Sequence, residues 1–280
     1  MVTRARCYPT EVAFPGGGEV ERQVVEDEEM ADRRQTPIEP ISISPGHCTP
    51  AEMRRILGST PFFRRLPVAD VDRIASGFRE THVEAGTVIH HAGDPATRLC
   101  IVAAGMVKVA RPTPDGQDVV IDILATGDFF GSLAQLGDAV HTSDVTAQTA
   151  CCILTITAEE FQSVLERYPP VALATLEFVA ARLRDAHETI EQLSAYPVEQ
   201  RVAATLLKLG SRLGRSDGGT TLIEMPLSRQ DLADMTGAKV ETVSRVMSEF
   251  RRAGLIDSGR RWISLLDREH LARIASGSLS

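Results

Sequence analysis

Three polar residues toward the C-terminus have types and spacing that suit the reading of base edges: Glu241, Ser244 and Arg245. On a helix they stand at i, i+3 and i+4 and share one face. An arginine can donate two hydrogen bonds to guanine O6 and N7, a glutamate can accept from cytosine N4, and a serine can meet a thymine methyl group or a phosphate. The same spacing also suits a plain Glu241–Arg245 surface ion pair, worth only about 0.2–0.5 kcal/mol. Spacing alone does not choose between the two.

The elements that must position these residues favour the first reading. Ser228-Arg229-Gln230-Asp231 is a capping box, so a helix is expected from Leu227 or Ser228 to Met235. Thr236-Gly237-Ala238 is a tight turn, and a second helix is expected from Lys239 to Arg252. Leu232 and Ala233 of the first helix can then meet Val243, Val246 and Met247 of the second. Two helices so joined form the bihelical unit that lays its second helix in a DNA major groove. Beyond it, Leu255-Ile256-Asp257, the turn Ser258-Gly259-Arg260 and the run Arg261–Leu265 predict a β-hairpin wing. Arg260 and Arg261 at its tip suit backbone phosphates, as do Ser228, Arg229, Lys239 and Thr242 around the two helices.

Upstream, Pro197 opens a helix from about Val198 to Leu213, closed by Gly214 and Asp217-Gly218-Gly219 and followed by a short strand over Thr221–Met225. A longer helix runs from Pro169-Pro170 to about Ala195. Its Leu176, Val179, Leu183, Ala186, Ile190 and Leu193 alternate steps of three and four among charged neighbours. So narrow a stripe implies pairing with a second copy of the chain, a homodimer; the competing reading packs it on its own domain. Thr157-Ala158-Glu159-Glu160 is a further capping box.

Between Thr81 and Thr157 short β-branched runs alternate with turn residues: Val88-Ile89, Leu99–Val102, Met106–Val109, Val119–Leu124, Val145-Thr146 and Cys152–Ile156. Such spacing predicts an antiparallel sandwich or barrel. Short helices are expected over Ala51–Leu57 and Val68–Ala75. Residues 1–48 are rich in Pro, Gly, Glu and Arg, with no sustained apolar period, and read as a disordered extension. The expected organisation is therefore this extension at 1–48, a β-rich domain at 49–168, the long helix at 169–196 and the helical reader at 197–280.

Charge follows the same division. The 280 residues carry a formal net charge of -8, yet from Pro197 onward 13 Lys and Arg face 10 Asp and Glu. The basic end is the part that could approach phosphates. No apolar run is long enough to span a membrane, and the acidic N-terminus lacks the apolar core of a signal peptide, so a cytoplasmic protein is expected. Five cysteines (Cys7, Cys48, Cys100, Cys151 and Cys152) lack disulfide-framework or Cys-x-x-Cys spacing. Cys151-Cys152 reads as part of a strand, one of the two facing the core. P-loop, Gly-x-Ser-x-Gly and His-Glu-x-x-His motifs are absent, so the chain is not expected to be an enzyme.

The string from Leu227 to Ile256 resembles the winged helix-turn-helix of the Crp/Fnr regulator family. The resemblance runs back through Pro197–Ala203 and the long helix to Gly93-Asp94, Gly105, Val107-Lys108 and Gly127-Asp128-Phe129-Phe130-Gly131, covering about residues 55–275. It implies an α+β chain: a cyclic-nucleotide-binding-like β-roll (jelly roll), a dimerisation helix and a winged helix-turn-helix domain. Within the family, Val240-Glu241-x-x-Ser244-Arg245 resembles the Fnr branch, which implies double-stranded DNA with a palindromic TTGAT-like site, and RNA polymerase as partner if the protein activates. Lys239 departs from the usual Ser or Thr helix cap, a loss of about 1 kcal/mol.

The same resemblance places an effector pocket at Gly131, Ser132, Leu133, His141, Thr142, Ser143 and His187. Members binding cAMP carry Glu where Ser132 stands, Arg where His141 or Thr142 falls, and Thr-Ser where this chain has Ala186-His187. Loss of a charge-assisted phosphate contact disfavours cAMP. The scattered cysteines disfavour an iron–sulfur cluster. Heme stays open, with His82, His90, His91, His141, His187 and Met106 as candidate ligands, and the metal content is unassigned. Redox, oxygen or nitric-oxide signals are expected ahead of cAMP. The rival readings are a cyclic-nucleotide-responsive regulator and a regulatory subunit that shares the β-roll but binds no DNA.

Overall fold

A computed structural model of the chain describes residues 49–113, 118–131 and 139–278. The expected 1–48 extension, the Pro114-Asp115-Gly116 and Gly137-Asp138 turns, and Ser132 and Leu133 of the expected pocket lie outside the described residues.

Two four-stranded antiparallel sheets form a sandwich. The first has the order β1-β8-β3-β6, from β1 (Arg79–Val83), β8 (Cys151–Thr157), β3 (Arg98–Ala104) and β6 (Phe129–Gly131). The second has the order β2-β7-β4-β5, from β2 (Val88–His90), β7 (Asp144–Ala147), β4 (Met106–Pro112) and β5 (Asp118–Ala125). Val102, Val107, Leu124, Val145, Cys151 and Ile153 fill the space between them. Gly105 turns β3 into β4 at φ +88, and a Cβ there would lie 2.3 Å from the Ala150 carbonyl oxygen, so only glycine fits.

The outer face of the first sheet is covered as well. Four helices contribute: α1 (Pro50–Ser59), α2 (Val68–Ala75), α3 (Ala158–Arg167) and the start of α4 (Pro169–Ala195). Ile56, Leu57, Phe62, Phe63, Phe161 and Val171 pack there on Leu99, Ile101, Leu154 and Ile156. Each side chain of this size contributes about 1.5–3 kcal/mol when fully buried. Strands β3 and β8 are thus buried on both faces, which corrects one expectation: Cys151 and Cys152 are both in cores, at 2% and 1% exposure. Cys151 faces the inter-sheet core and Cys152 the helix-covered one.

The second half comprises α5 (Val198–Leu213), β9 (Gly214–Asp217), β10 (Thr220–Glu224), α6 (Arg229–Thr236), α7 (Val240–Arg252), β11 (Ile256–Gly259), β12 (Trp262–Leu265) and α8 (Arg268–Ala275). Its sheet order is β11-β12-β10-β9. Gly214–Asp217, expected as a helix stop, pairs with β10 as an edge strand. Its polar Gly-Arg-Ser-Asp carries no apolar strand pattern; besides the backbone ladder, Arg215 Nη2 donates to Glu224 Oε1 of β10 at 2.8 Å and Thr220 Oγ1 to Asp217 O at 2.7 Å. One core unites Leu206, Ile223, Leu232, Val243, Phe250, Ile263 and Leu271, and Met106, Val120 and Ile123 of the sandwich join it. Among the described residues no helix is long and apolar enough to cross a membrane.

Candidate nucleic-acid interface

The capping box that opens α6 is complete. Asp231 N–H donates to Ser228 Oγ at 2.9 Å, while Ser228 N–H and Oγ–H donate to Asp231 Oδ2 at 2.9 and 2.6 Å. Gly237 ends the helix in the left-handed conformation at φ +57, and Ala238 N–H closes the turn on Ala233 O at 3.0 Å. From α5, Arg201 Nη1 donates to Thr236 O at 2.6 Å and fixes the turn from outside. Helix α7 then buries Val243, Val246, Met247 and Phe250, with the first three joining Leu232 and Ala233 as the sequence predicts.

Its opposite face presents the candidate readers. Glu241 and Arg245 are exposed and Ser244 is half-buried. Among the described residues neither Glu241 nor Arg245 has an ion pair or side-chain hydrogen bond, so the i,i+4 pair does not form. Both charged heads are left to solvent. Ser248, one turn on, is exposed, and its hydroxyl bonds back to Ser244 O at 2.8 Å. Lys239 stands at the N-cap of α7 without a side-chain cap bond and is exposed; Thr242 is half-buried.

The wing forms as expected. Gly259 pairs with Trp262, which leaves Arg260-Arg261 as a two-residue loop with both side chains exposed. Arg261 has φ +70, the one non-glycine positive φ among the described residues. A branchless residue would sit there more comfortably, so a basic side chain is held at this tip against local backbone preference. Arg229 Nη2 reaches Ser258 Oγ of β11 at 3.4 Å. Burial and the nearby Arg251 push the Arg229 guanidinium down. Two like charges between α6, α7 and the wing would be relieved by an anion. Arg251 is absent from the sequence-based set, although its place in the last turn of α7 beside Arg252 was a readable signal. Ser228 differs from the expectation: its hydroxyl is committed to the cap, so it is poorly placed to serve a phosphate as well.

The sandwich meets the reader through a charged cluster. Asp122 on β5, 7% exposed, bonds to Arg182 of α4 and to Arg212 Nη1 of α5 at 2.6 Å. Arg212 Nη2 also reaches Asp128 Oδ2 at 3.0 Å, and Lys108 Nζ on β4 reaches Asp231 Oδ1 at 3.1 Å. Burial alone would raise the Asp122 carboxyl, but Arg212 and Arg182 outweigh it and hold it below the usual carboxylate range. At Asp231 burial again acts upward and is overcome by the Ser228 hydrogen bonds and Lys108. Sequence reasoning missed this cluster; a lone Asp inside the apolar run Val119–Leu124 was the available signal.

Along α4, Leu176, Val179, Leu183, Ile190 and Leu193 are 40–65% exposed, and Leu173 extends the row one step earlier. Ala186 on the same row is exposed too. Leu193 also lies against the reader turn, since a Cβ on Gly237 would come within 3.0 Å of its Cδ2.

The expected effector residues are only partly assembled. His141 stacks on His90 with ring centroids 3.6 Å apart and an 8° tilt, near Phe130 at the end of β6. Burial pushes both imidazoles down, His90 to about 4, so both are neutral at pH 7. Thr142 O accepts from Arg111 Nε at 3.2 Å, Ser143 is half-buried, and Gly131 closes β6 at φ +100. His187 is exposed on α4. The candidate heme ligands are not gathered at one point: His82 bonds Glu80 on β1, Met106 is buried in the reader-side core, and face-to-face stacking denies His90 and His141 a shared pair of axial positions. Iron–sulfur ligation does not fit the described cysteines either. Cys100 and Cys151 share a core without Cys152, and burial pushes the Cys100 thiol up to about 12.

The comparisons agree with this geometry. Residues 80–168 match the cyclic nucleotide-binding domain family and residues 200–274 the Crp-like helix-turn-helix domain family, together more than half of the chain. A CRP-like cAMP-activated global transcriptional regulator from Mycobacterium tuberculosis is 27% identical over 80% of this chain and 100% of its own length. The nitrogen fixation regulation protein FixK from Bradyrhizobium diazoefficiens is 27% identical over 71% of this chain and 82% of its own. The solved structure of FixK2 from Bradyrhizobium japonicum superposes with a TM-score of 0.64 at 25% identity, covering 70% of this chain and 96% of that one. With a nucleotide-binding-type sandwich, a long helix bearing an exposed apolar row, and a capped helix-turn-helix followed by a wing, the chain belongs to the Crp/Fnr family of DNA-binding transcriptional regulators.

Proposed function

We propose that the chain is a homodimeric regulator that reads a TTGAT-like palindrome with Glu241, Ser244 and Arg245. One observation carries this reading: Glu241 and Arg245 share an exposed face at the start of α7 and have no partner of their own among the described residues. Arg260, Arg261, Lys239, Thr242 and the Arg229–Arg251 pair take the backbone phosphates. Two copies pair through the exposed row of α4, which sets the recognition helices about one helical turn apart.

A signal at the sandwich has two physical routes to the reader. One runs along α4 to Leu193 at the Gly237 turn. The other is the Asp122–Arg182–Arg212 cluster, which ties β5 to α4 and α5. Each could bias a two-state orientation of the recognition helices. The signal is redox, oxygen or nitric oxide rather than cAMP; support comes from Ser132 at the ribose-binding position and from neutral His141 near the phosphate-binding one.

Gel-shift titration on DNA with TTGAT and ATCAA arms tests the reading. Wild type binds, and Arg245→Ala loses about 1–3 kcal/mol and relaxes the preference at the guanine. No binding under aerobic, anaerobic and nitric-oxide conditions alike refutes the site. A cAMP-dependent gain in affinity refutes the signal.

A further inference from the structure

Away from the reader, three side chains of different donor types meet on the outer face of the first sheet. Glu80 and His82 stand at i and i+2 on edge strand β1, hence on one face, and Cys152 of β8 is the direct cross-strand partner of His82. His82 Nε2 lies 2.7 Å from Glu80 Oε1, and the Cys152 thiol donates to the same oxygen at 3.3 Å. The three donor atoms all lie within 4.8 Å of one another.

We propose that Glu80, His82 and Cys152 bind a divalent transition-metal ion of the Zn²⁺ type. One carboxylate, one imidazole and one thiolate are the oxygen, nitrogen and sulfur ligands that zinc accepts. From bond lengths of about 2.0–2.3 Å, a tetrahedral ion holds its ligand atoms about 3.3–3.8 Å apart. His82 Nε2 and Glu80 Oε1, now 2.7 Å apart, need to spread by about half an ångström, the Cys152 sulfur at 3.3 Å from that oxygen is already near a ligand spacing, and the ion takes the place of the protons now shared at Glu80. Binding releases the Cys152 thiol proton, and the thiolate and carboxylate together balance a dication.

Access is graded in the sense a site needs. Cys152 is 1% exposed, while the Glu80 and His82 side chains are 14% and 36% exposed. The sulfur forms the floor, and the solvent side leaves a fourth position for water or a small ligand. Softness of the thiolate selects Zn²⁺ or Co²⁺ over Mg²⁺ or Ca²⁺. An ion here would clip edge strand β1 to β8, and it lies outside the effector pocket that the family resemblance predicts.

Co²⁺ titration of the chelator-treated full-length protein, followed by absorption, tests the assignment. The expected result is a thiolate-to-cobalt charge-transfer band with four-coordinate d–d bands, saturating at one ion per chain and bleached by Zn²⁺. Cys152→Ala removes the charge-transfer band; His82→Ala and Glu80→Gln weaken binding by roughly 10-fold or more. Because Cys152 is buried, the two variants on β1, checked for folding by circular dichroism, decide the matter if Cys152→Ala does not fold. Absence of the charge-transfer band overturns the proposal. So does a band unchanged in folded His82→Ala and Glu80→Gln, or one lost only when Cys7 and Cys48 are replaced.

Discussion

Replacing Asp122 with asparagine keeps its shape and removes its charge, so it probes how tightly the sandwich holds the reader. The carboxylate is 7% exposed and faces Arg182 and Arg212, whose side chains are 36% and 26% exposed. Removing one partner of a fully buried ion pair costs about 3–5 kcal/mol. Here both guanidinium groups still touch water and Arg212 keeps Asp128 at 3.0 Å, so about 2 kcal/mol is expected. In a cycle with Arg212→Gln the coupling energy should be about 1–2 kcal/mol. The assay is urea unfolding of the full chain at fixed concentration, with two probes. Trp262 is the chain's one tryptophan and sits in the wing, so its fluorescence follows the reader, while circular dichroism follows the whole. Wild type should unfold with coincident transitions, and Asp122→Asn should move the fluorescence transition to lower urea. Because the folded Asp122 is held below its ordinary value, its contribution is complete above about pH 4 and fades as pH falls through the lowered value. Coupling below about 0.3 kcal/mol, or coincident transitions in the variant, would refute the idea that this cluster fastens the two halves.

Arg261→Gly relieves a backbone strain of about 1 kcal/mol and adds glycine's entropic cost of about 0.5–1 kcal/mol. Stability should stay within about 0.5 kcal/mol while the salt slope of DNA binding falls by about one per protomer; a large loss of stability would contradict the strain. His90, neutral and lowered to about 4, costs stability as pH falls from its unfolded value near 6.5 toward 4. After allowance for solvent at the half-buried ring this is about 1 kcal/mol. His90→Gln should flatten the urea midpoint between pH 7 and 4.5, and an unchanged slope would count against it. Leu183→Glu places a charge in the middle of the exposed α4 row and should convert a dimer to a monomer by sedimentation, whereas an unchanged mass would remove the seam.

The reader was legible from sequence because each of its parts is local. A capping box needs residues three apart, a left-handed turn needs glycine, and an amphipathic helix repeats its apolar residues within one or two turns. Ser228–Asp231, Gly237 and Val243–Met247 therefore carry their positions in the order of the chain. The α4 row was legible for the same reason, down to the exposure of Leu176 and Leu183. Spacing could not tell whether Glu241 and Arg245 pair with each other or face outward; in the structure both are exposed and no ion pair joins them.

Contacts between distant segments belong to the tertiary structure alone. Asp122 meets Arg212 across 90 residues, Lys108 meets Asp231 across 123, and Glu80 meets Cys152 across 72. Nothing in local periodicity encodes such meetings, because strand order and helix docking decide them. Double coverage of β8 likewise made both Cys151 and Cys152 core residues, where an alternating strand on one core would have buried one. Sequence order alone thus determined which helix can read DNA. Which charges join the sandwich to α4, α5 and α6, and which donors share one face of the first sheet, only folding decided, because those groups become neighbours when separate segments pack.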